Sequence, residues 1–466
     1  MKNLAAILLA AGKGTRMKSN IPKVLHDVAG RPMLFYPLDV LEEIKAGRVV
    51  VVVGFCADRV RKEAGGGKNI RFVDQAEQLG TGHAVMTATK ALKGFVGDVL
   101  ILSGDVPLIS ASTVKALIKM HRKGGKARPA ITMVTTVLSD PYGYGRIVRD
   151  AKGAVISIVE EKDCAPLQRE IEEVNAGIYL VSSAFLNANI KKLGKLNAQG
   201  EYYLTDLVRM ATGLGERVTA LTHIYPGEVM GVNNRAELAR AGRIMRERVA
   251  ERLMNSGVTL IDPAATYIDH GVRVGPDTII YPGARISGKT VIGAGCVVED
   301  GAVIVDCEVG DGSVIKSYTV MESSRIGEGA SIGPLARLRP GNVIGDRARI
   351  GNFVEVKNSI MGAKAKAGHL SYIGDTTVGE DVNIGAGTVT CNYDGFKKHR
   401  TIIEDGAFIG SDSQLVAPVT VGKGAYVGSG TTVTKDVPPG ALVVSRAGER
   451  VIEGWVKKRK AKSGGK

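Results

Sequence analysis

The feature that most restricts this chain is a six-residue rhythm in its second half. Aliphatic residues stand at Ile326, Ile332, Leu338, Ile344, Ile350 and Val356, and again at Ile403, Ile409, Leu415, Val421, Val427 and Val433. Most are followed by glycine or another small or polar residue, as in IGEGAS, IGDRAR and VGKGAY. Two separate runs of six in register are not a chance pattern. The rhythm predicts a parallel β-helix in which each hexad is one short strand and a turn, with aliphatic side chains stacked inside. An isolated solenoid of this kind leaves open ends and flat faces, so self-association is expected. Met361 to Tyr372 and Cys391 to Arg400 break the rhythm and are expected to leave the coils as loops, where function concentrates.

A chain of 466 residues is too long for one ordinary core, and its first half follows another pattern. Compact apolar runs, LAAILLA at Leu4 to Ala10, VVVVG at Val50 to Gly54 and VLILSGD at Val99 to Asp105, alternate with helix-like segments such as Met33 to Ile44. This predicts an α/β domain with a parallel sheet covered on both faces. Ligands on such sheets sit at the carboxyl ends of the strands. The loop LAAGKGTRM, Leu9 to Met17, and Gly104-Asp105 both fall there. Between the halves, Leu238, Ala241, Met245, Val249 and Leu253 mark one face of a helix, with Asn234 and Glu237 as its cap and Gly257 as its stop. The expected organisation is a first domain over 1–232, a linking helix over 233–257 and a β-helix over 258–466.

A hydrophobic fraction of 44% with 23% charged residues fits a soluble globular protein and not a disordered one. The net charge is +15, but six of the cations (Lys457, Lys458, Arg459, Lys460, Lys462 and Lys466) follow Trp455 and read as a solvated tail. No basic patch is interleaved with aromatics, so nucleic acid is not the expected partner, whereas anionic small substrates are. Five scattered cysteines form no metal-binding spacing and point to a reducing cytoplasm. Lys2 and the apolar Leu4 to Ala11 are like the start of a signal peptide, yet GKGTRMK follows at once, and a buried first strand is the better reading. No apolar run approaches the ~20 residues of a membrane helix, so membrane insertion is not expected.

The turn GxGTRM is a nest of backbone N–H groups with cations beside it, suited to a triphosphate or pyrophosphate. Further along stand Pro22-Lys23, QAEQLGTGHA (Gln75 to Ala84), SGDVPL (Ser103 to Leu108), GYGR (Gly143 to Arg146), IVEEKD (Ile158 to Asp163), Asn175 and GVNN (Gly231 to Asn234). Together these resemble the sugar nucleotidyltransferases. With the hexapeptide half attached, nearly the whole chain resembles the bacterial bifunctional N-acetylglucosamine-1-phosphate uridylyltransferases and glucosamine-1-phosphate acetyltransferases. The resemblance implies a Rossmann-like nucleotidyltransferase domain, a left-handed β-helix and a homotrimer. It also implies attack of a sugar-1-phosphate oxygen on the α-phosphorus of UTP, with Arg16 and Lys23 gathering positive charge around the transferring group. The nucleotide would lie on Leu9, Ala10, Ala11, Gly12, Gln75, Gly80, Thr81, Ser103 and Gly104. Gly145, Glu160 and Asn175 would fix the sugar, and Asp105 and Asn233 would hold Mg²⁺. Ser103 stands where relatives often carry an aromatic residue.

ARLRPG (Ala336 to Gly341), NFVEVKN (Asn352 to Asn358), AGHLSYIGD (Ala367 to Asp375), VNIGAGTVTCNYDG (Val382 to Gly395) and FIGSDSQLVAPV (Phe408 to Val419) match the acetyltransferase half of the same family. Acetyl transfer from a thioester to an amine needs a base, and a histidine titrates in the right range. The resemblance makes His369 that base, with Glu355 supporting it. It places Arg339 and Lys357 on the sugar phosphate and Tyr372 and Asn383 on the sugar. Acetyl-CoA would lie near Ala386, Asn392, Tyr393, Ser411, Ser429 and Arg446, Ser429 standing where alanine is common. The pathway implied supplies cell-wall peptidoglycan and lipopolysaccharide precursors.

Overall fold

The structure, a computed structural model, describes residues 3–67, 69–123, 125, 128–446 and 448–462. Lys2 and Lys466 lie outside the described residues. The chain divides into two compact units, Met1–Arg246 and Glu247–Lys466. The division falls within the helix Arg235–Asn255. Its first turn is capped as its sequence requires, Glu237 N donating to Asn234 Oδ1 at 2.9 Å and Asn234 Nδ2 to Glu237 Oε1 at 2.6 Å. The apolar stripe of this helix serves both units: Ala241 and Met245 are buried with Val28, Met33 and Val232, while Val249 and Leu253 join the core of the coil.

In the first unit nine strands form one sheet: β1 (Leu4–Ala10), β2 (Arg48–Val53), β3 (Ile70–Asp74), β4 (Asp98–Ser103), β5 (Ile131–Val137), β6 (Arg146–Arg149), β7 (Val155–Val159), β8 (Glu173–Ser182) and β9 (Val218–His223). The order is β9-β5-β8-β4-β1-β2-β3, with β6 beside β8 and β7 beside β6. Leu4, Ala6, Leu8 and Ala10 of β1 enter one core and Ala5 and Ile7 the other. Both faces are covered, which is why this strand is an unbroken apolar run rather than an alternating one. The sheet is mixed, not parallel throughout as expected. β8 runs antiparallel to both β4 and β5. It is reached through the antiparallel β6–β7 hairpin, with whose first strand it also pairs, and not through a crossover helix spanning a face.

The second unit is a parallel β-helix of three sheets with 11, 10 and 9 strands. Ile326 pairs with Ile344, Ile332 with Ile350 and Leu338 with Val356, so three hexads make one coil. All twelve aliphatic positions of the two sequence runs are buried. The same six-step series already runs through Ile268, Val274, Ile280, Ile286, Ile292, Val298 and Ile304, well before the first run read from sequence. Five-residue steps, from Ile304 to Val309 and from Met321 to Ile326, hide this continuity from a strict period.

One expected loop is corrected by the coil. Met361, Ala367, Ile373 and Val378 are all inward and buried, so the chain from Met361 to Tyr372 remains in the wall. Its rhythm breaks because of two five-residue steps and a small Ala367, not because the chain departs. The second interruption does depart. Thr390 and Asn392 are buried before it and Thr401 after it, and the largely exposed segment between, from Tyr393 to Arg400, is closed by a Tyr393–Lys398 bridge and a His399–Asp394 contact of 2.7 Å. The tail forms an exposed helix, Trp455–Lys462.

Candidate active sites

In the first unit a cavity of about 300 Å³ opens at the carboxyl ends of β1 and β4. Leu9, Ala10, Ala11 and Gly12 contribute the end of β1, Gln75 the residue after β3, and Ser103 and Asp105 the end of β4. Gly80 and Thr81 bring the N-terminus of the helix Thr81–Thr89, whose dipole favours an anion, although Gly82 N already donates to Tyr202 O at 2.8 Å. Gly104 is buried at the seam, donating its N–H to Leu9 O at 2.9 Å. Gln75 Nε2 donates to Gly80 O at 3.1 Å, tying two walls together.

The cations converge on the same edge. Lys23 Nζ pairs with the Asp105 carboxylate and donates to Asn233 Oδ1 at 3.0 Å, and Arg16 Nη2 donates to that same oxygen at 2.9 Å. Gly14 permits this arrangement. Its φ is 63°, and a Cβ there would lie 2.6 Å from Lys23 Cβ. The segment Gly231–Asn233 is fastened to the strand end by Val232 N, which donates to Asp105 O at 2.8 Å. Asp105 and Asn233 thus aim two oxygens at one cation-sized point, now filled by an ammonium group. Among the described residues no group of three His, Cys, Asp or Glu side chains could hold a metal. A carboxylate and an amide oxygen fit a hard ion that keeps several waters.

Gly145, Glu160 and Asn175 form a second cluster. Asn175 N donates to Gly145 O at 2.8 Å, and a Cβ on Gly145 would lie 3.4 Å from Glu160 Oε2. Burial pushes the Glu160 carboxyl above the usual range, against a hydrogen bond from Thr205 Oγ1 at 3.0 Å.

On the β-helix, outward residues of one sheet gather the second set. Arg337, Glu355 and Tyr372 lie in one file and Arg339, Lys357 and Gly374 in the next, two residues along the same strands. Arg339 Nη1 donates to Glu355 Oε1 at 3.2 Å. His369 ends the strand Lys366–His369 at the corner leading to Tyr372. Its coil neighbour is Asn352, and Nδ1 lies 2.8 Å from Asn352 Oδ1. Carried three residues onward, the strand registers bring Ala386, Ser411 and Ser429 into the file of His369. Backbone bonds confirm the stacking of these corners: Gly387 N donates to Leu370 O, Asp412 N to Ala386 O and Gly430 N to Ser411 O. Arg446 is exposed just beyond the last coil strand, Leu442–Val443.

A model for a MobA-like NTP transferase domain matches residues 6–150, one for a GMPPB C-terminal domain matches 260–352, and one for six bacterial transferase hexapeptide repeats matches 400–435. The chain is 52% identical to the bifunctional protein GlmU of Pelobacter propionicus over 99% of its own length and all of the relative's. The GlmU proteins of Geotalea uraniireducens and Geobacter sulfurreducens are 51% and 50% identical, the first over 99% of this chain and all of its own, the second over 98% of each. The chain belongs to the GlmU family. It is a transferase with a nucleotidyltransferase half and a hexapeptide acyltransferase half, and the coil is consistent with left-handed winding. No helix among the described residues is long and apolar enough to cross a membrane.

Within this GlmU-family chain some groupings differ from those read in sequence. Glu355 is engaged with Arg339, and Asn352 holds the His369 ring, because the coil register aligns 352 with 369 and puts 355 on the next sheet. Asn383 lies outward on the same sheet as His369, in the file of Lys366 and Phe408, three residues short of the corner. Asn392 Nδ2 donates to Asp375 Oδ2 at 2.6 Å, and Tyr393 is exposed with its hydroxyl donating to Gly395 O at 2.6 Å. Three residues absent from the sequence reading stand in the sites. Gln78 Nε2 donates to Ala11 O at 2.9 Å, and its place inside QAEQLGTGHA was the available signal. Glu201 lines the cavity at the strand ends, and nothing local in GEYY announces it. Lys398 comes within hydrogen-bonding range of Lys357, whose ammonium lowers its pKa.

Proposed function

We propose that the enzyme makes UDP-N-acetylglucosamine in two steps. The β-helix, 258–466, transfers acetyl from acetyl-CoA to glucosamine-1-phosphate. The first domain, 1–232, then transfers uridylyl from UTP to N-acetylglucosamine-1-phosphate and releases pyrophosphate, with 233–257 as the linking helix. The product feeds cell-wall peptidoglycan and lipopolysaccharide synthesis in the cytoplasm. The observation that carries uridylyl transfer is the convergence of Lys23, Arg16, Asp105 and Asn233 at the strand ends.

For uridylyl transfer, the cavity residues Leu9 to Gly12, Gln75, Gly80, Thr81, Ser103 and Gly104 hold the nucleotide. Lys23 and Arg16 stabilise charge on the phosphate under attack. Asp105 and Asn233 would hold Mg²⁺, which neutralises phosphate charge when bound. Gly145, Glu160 and Asn175 orient the sugar so that its phosphate oxygen faces the α-phosphorus.

For acetyl transfer, His369 accepts the amine proton as the nitrogen attacks the thioester carbonyl. Arg339 and Lys357 hold the sugar phosphate, Tyr372 and Asn383 the sugar. Acetyl-CoA follows the file Ala386, Ser411, Ser429 toward Arg446, with Asn392 and Tyr393. Asn392 stands beyond the next sheet of the coil from His369, which supports a homotrimer whose neighbouring chains complete each site.

The test supplies glucosamine-1-phosphate, acetyl-CoA, UTP and Mg²⁺ and follows thiol and pyrophosphate separately. Both should appear, pyrophosphate lagging, and a chelator should stop pyrophosphate alone. His369→Ala should abolish thiol release and leave pyrophosphate release intact once N-acetylglucosamine-1-phosphate is supplied directly, whereas Asp105→Ala should abolish pyrophosphate release and spare thiol release. Pyrophosphate from N-acetylglucosamine-1-phosphate without any thiol release would leave the β-helix a scaffold and sink the two-step reading.

A further inference from the structure

The β6–β7 hairpin carries an ion pair that lies outside both reaction centres. The Arg146 side chain is 2% exposed and that of Glu161 18%. Arg146 Nη2 donates to Glu161 Oε2 at 2.8 Å, the Gly143 N–H donates to the same oxygen at 3.0 Å, and Arg146 Nη1 donates to Tyr144 O. Arg169 Nε stands 3.7 Å from the other carboxylate oxygen. Burial acts to raise the Glu161 pKa, and the Gly143 N–H and the Arg146 guanidinium outweigh it, holding the carboxyl below the usual range. A buried ion pair is a weak device for stability, since apolar side chains of similar volume often serve as well.

The position of the pair in the chain gives it another use. Arg146 directly follows Gly145, and Glu161 directly follows Glu160. In register, Arg146 faces Val159 on β7 and Val174 on β8, and Val174 is followed by Asn175. One salt bridge therefore sits behind all three members of the cluster Gly145, Glu160 and Asn175. It also pins Gly143 and Tyr144, the turn that delivers Gly145.

We propose that Arg146 and Glu161 are positioning residues for N-acetylglucosamine-1-phosphate: their charge pair clamps the Gly143–Gly145 turn to the end of β7 and so sets the spacing of Gly145 from Glu160. This rests on the reading that Gly145, Glu160 and Asn175 bind the sugar. The pair touches neither substrate and acts only through those neighbours.

The test measures uridylyl transfer by the full chain at varied N-acetylglucosamine-1-phosphate and at varied UTP, for Glu161→Gln, Arg146→Lys and Glu160→Ala. Acetyl transfer and Tm report on the fold. Glu161→Gln and Arg146→Lys should raise KM for the sugar phosphate about tenfold or more while KM for UTP stays within about twofold. Glu161→Asp, which keeps the charge, should recover part of the loss. Equal losses for both substrates that track a fall in Tm, or unfolded variants that Glu161→Asp does not rescue, would place the pair in the fold alone and overturn the proposal. An unchanged KM in Glu161→Gln with a raised one in Glu160→Ala overturns it while the sugar reading stands. An unchanged KM in Glu160→Ala removes the sugar reading and this inference with it.

Discussion

His369 Nδ1 lies 2.8 Å from Oδ1 of Asn352, its neighbour in the preceding coil. With the amide oxygen toward the ring, Nδ1 carries the hydrogen and Nε2 keeps the lone pair that a base needs. Asn352→Ala is expected to lower kcat for acetyl transfer about 10- to 100-fold, a part of what a general base contributes. Asn352→Asp keeps an acceptor for the ring hydrogen and should lose less activity than Asn352→Ala. Activity unmoved by Asn352→Ala would show that the contact does not orient the base.

Just before that pair a glycine faces the backbone of the next coil with no room for a side chain. A Cβ on Gly351 would stand 1.8 Å from Gly368 O, a backbone atom that cannot swing aside. Gly351→Ala is expected to abolish acetyl transfer while leaving uridylyl transfer within about twofold, because the displacement falls on the strands that carry Asn352 and His369. Thiol and pyrophosphate assays on one preparation check it, and preserved acetyl transfer would mean that the coil spacing relaxes freely.

Lys398 meets Lys357 at the base of the excursion from Tyr393 to Arg400, and the neighbouring ammonium lowers its pKa. The same corner holds Asp375, whose pKa burial acts to raise but hydrogen bonds from Asn358 and Asn392 lower. Two cations side by side favour a dianionic ligand. Lys398→Ala is expected to raise KM for glucosamine-1-phosphate about tenfold, with KM for acetyl-CoA unchanged. A rise confined to acetyl-CoA would assign the lysine to the other substrate.

Asp98, 2% exposed at the start of β4, accepts from Arg122 Nε at 2.8 Å and Arg128 Nη1 at 3.1 Å and stands 3.6 Å from His121 Nε2. Burial acts to raise its pKa, and the neighbouring His121 and the Arg122 guanidinium outweigh it and lower it. Its stabilising contribution is therefore full above the ordinary carboxylate range and is lost as pH falls from there through the lowered value. Asp98→Asn should cost about 1–3 kcal/mol near neutral pH, with the gap to the parent closing across that acidic window. Urea unfolding at neutral and acidic pH measures it, and a gap that stays constant would show that the charge is not responsible.

What the sequence alone determined is what depends on local spacing. A hexad puts one side chain inward whatever its neighbours do, so the β-helix and its buried positions were legible from Ile326 and Ile403 onward. An apolar run such as Leu4–Ala10 declares a strand covered on both faces. The glycine-rich turn with Lys23 and Asp105 reads as an anion site at strand ends, and the structure brings Lys23 and Asp105 together beside a cavity there. Adjacency between distant segments was decided only by tertiary structure. A five-residue step sets Asn352 opposite His369 where strict hexads would set Gly351, Glu355 stands opposite Tyr372, and the chain from Met361 to Tyr372 stays in the wall. The direction of β8, the arrival of Glu201 in the cavity and the closure of Arg146 on Glu161 depend likewise on how whole elements dock. Periodicity states which way a side chain faces, and only the closed fold states what stands opposite it.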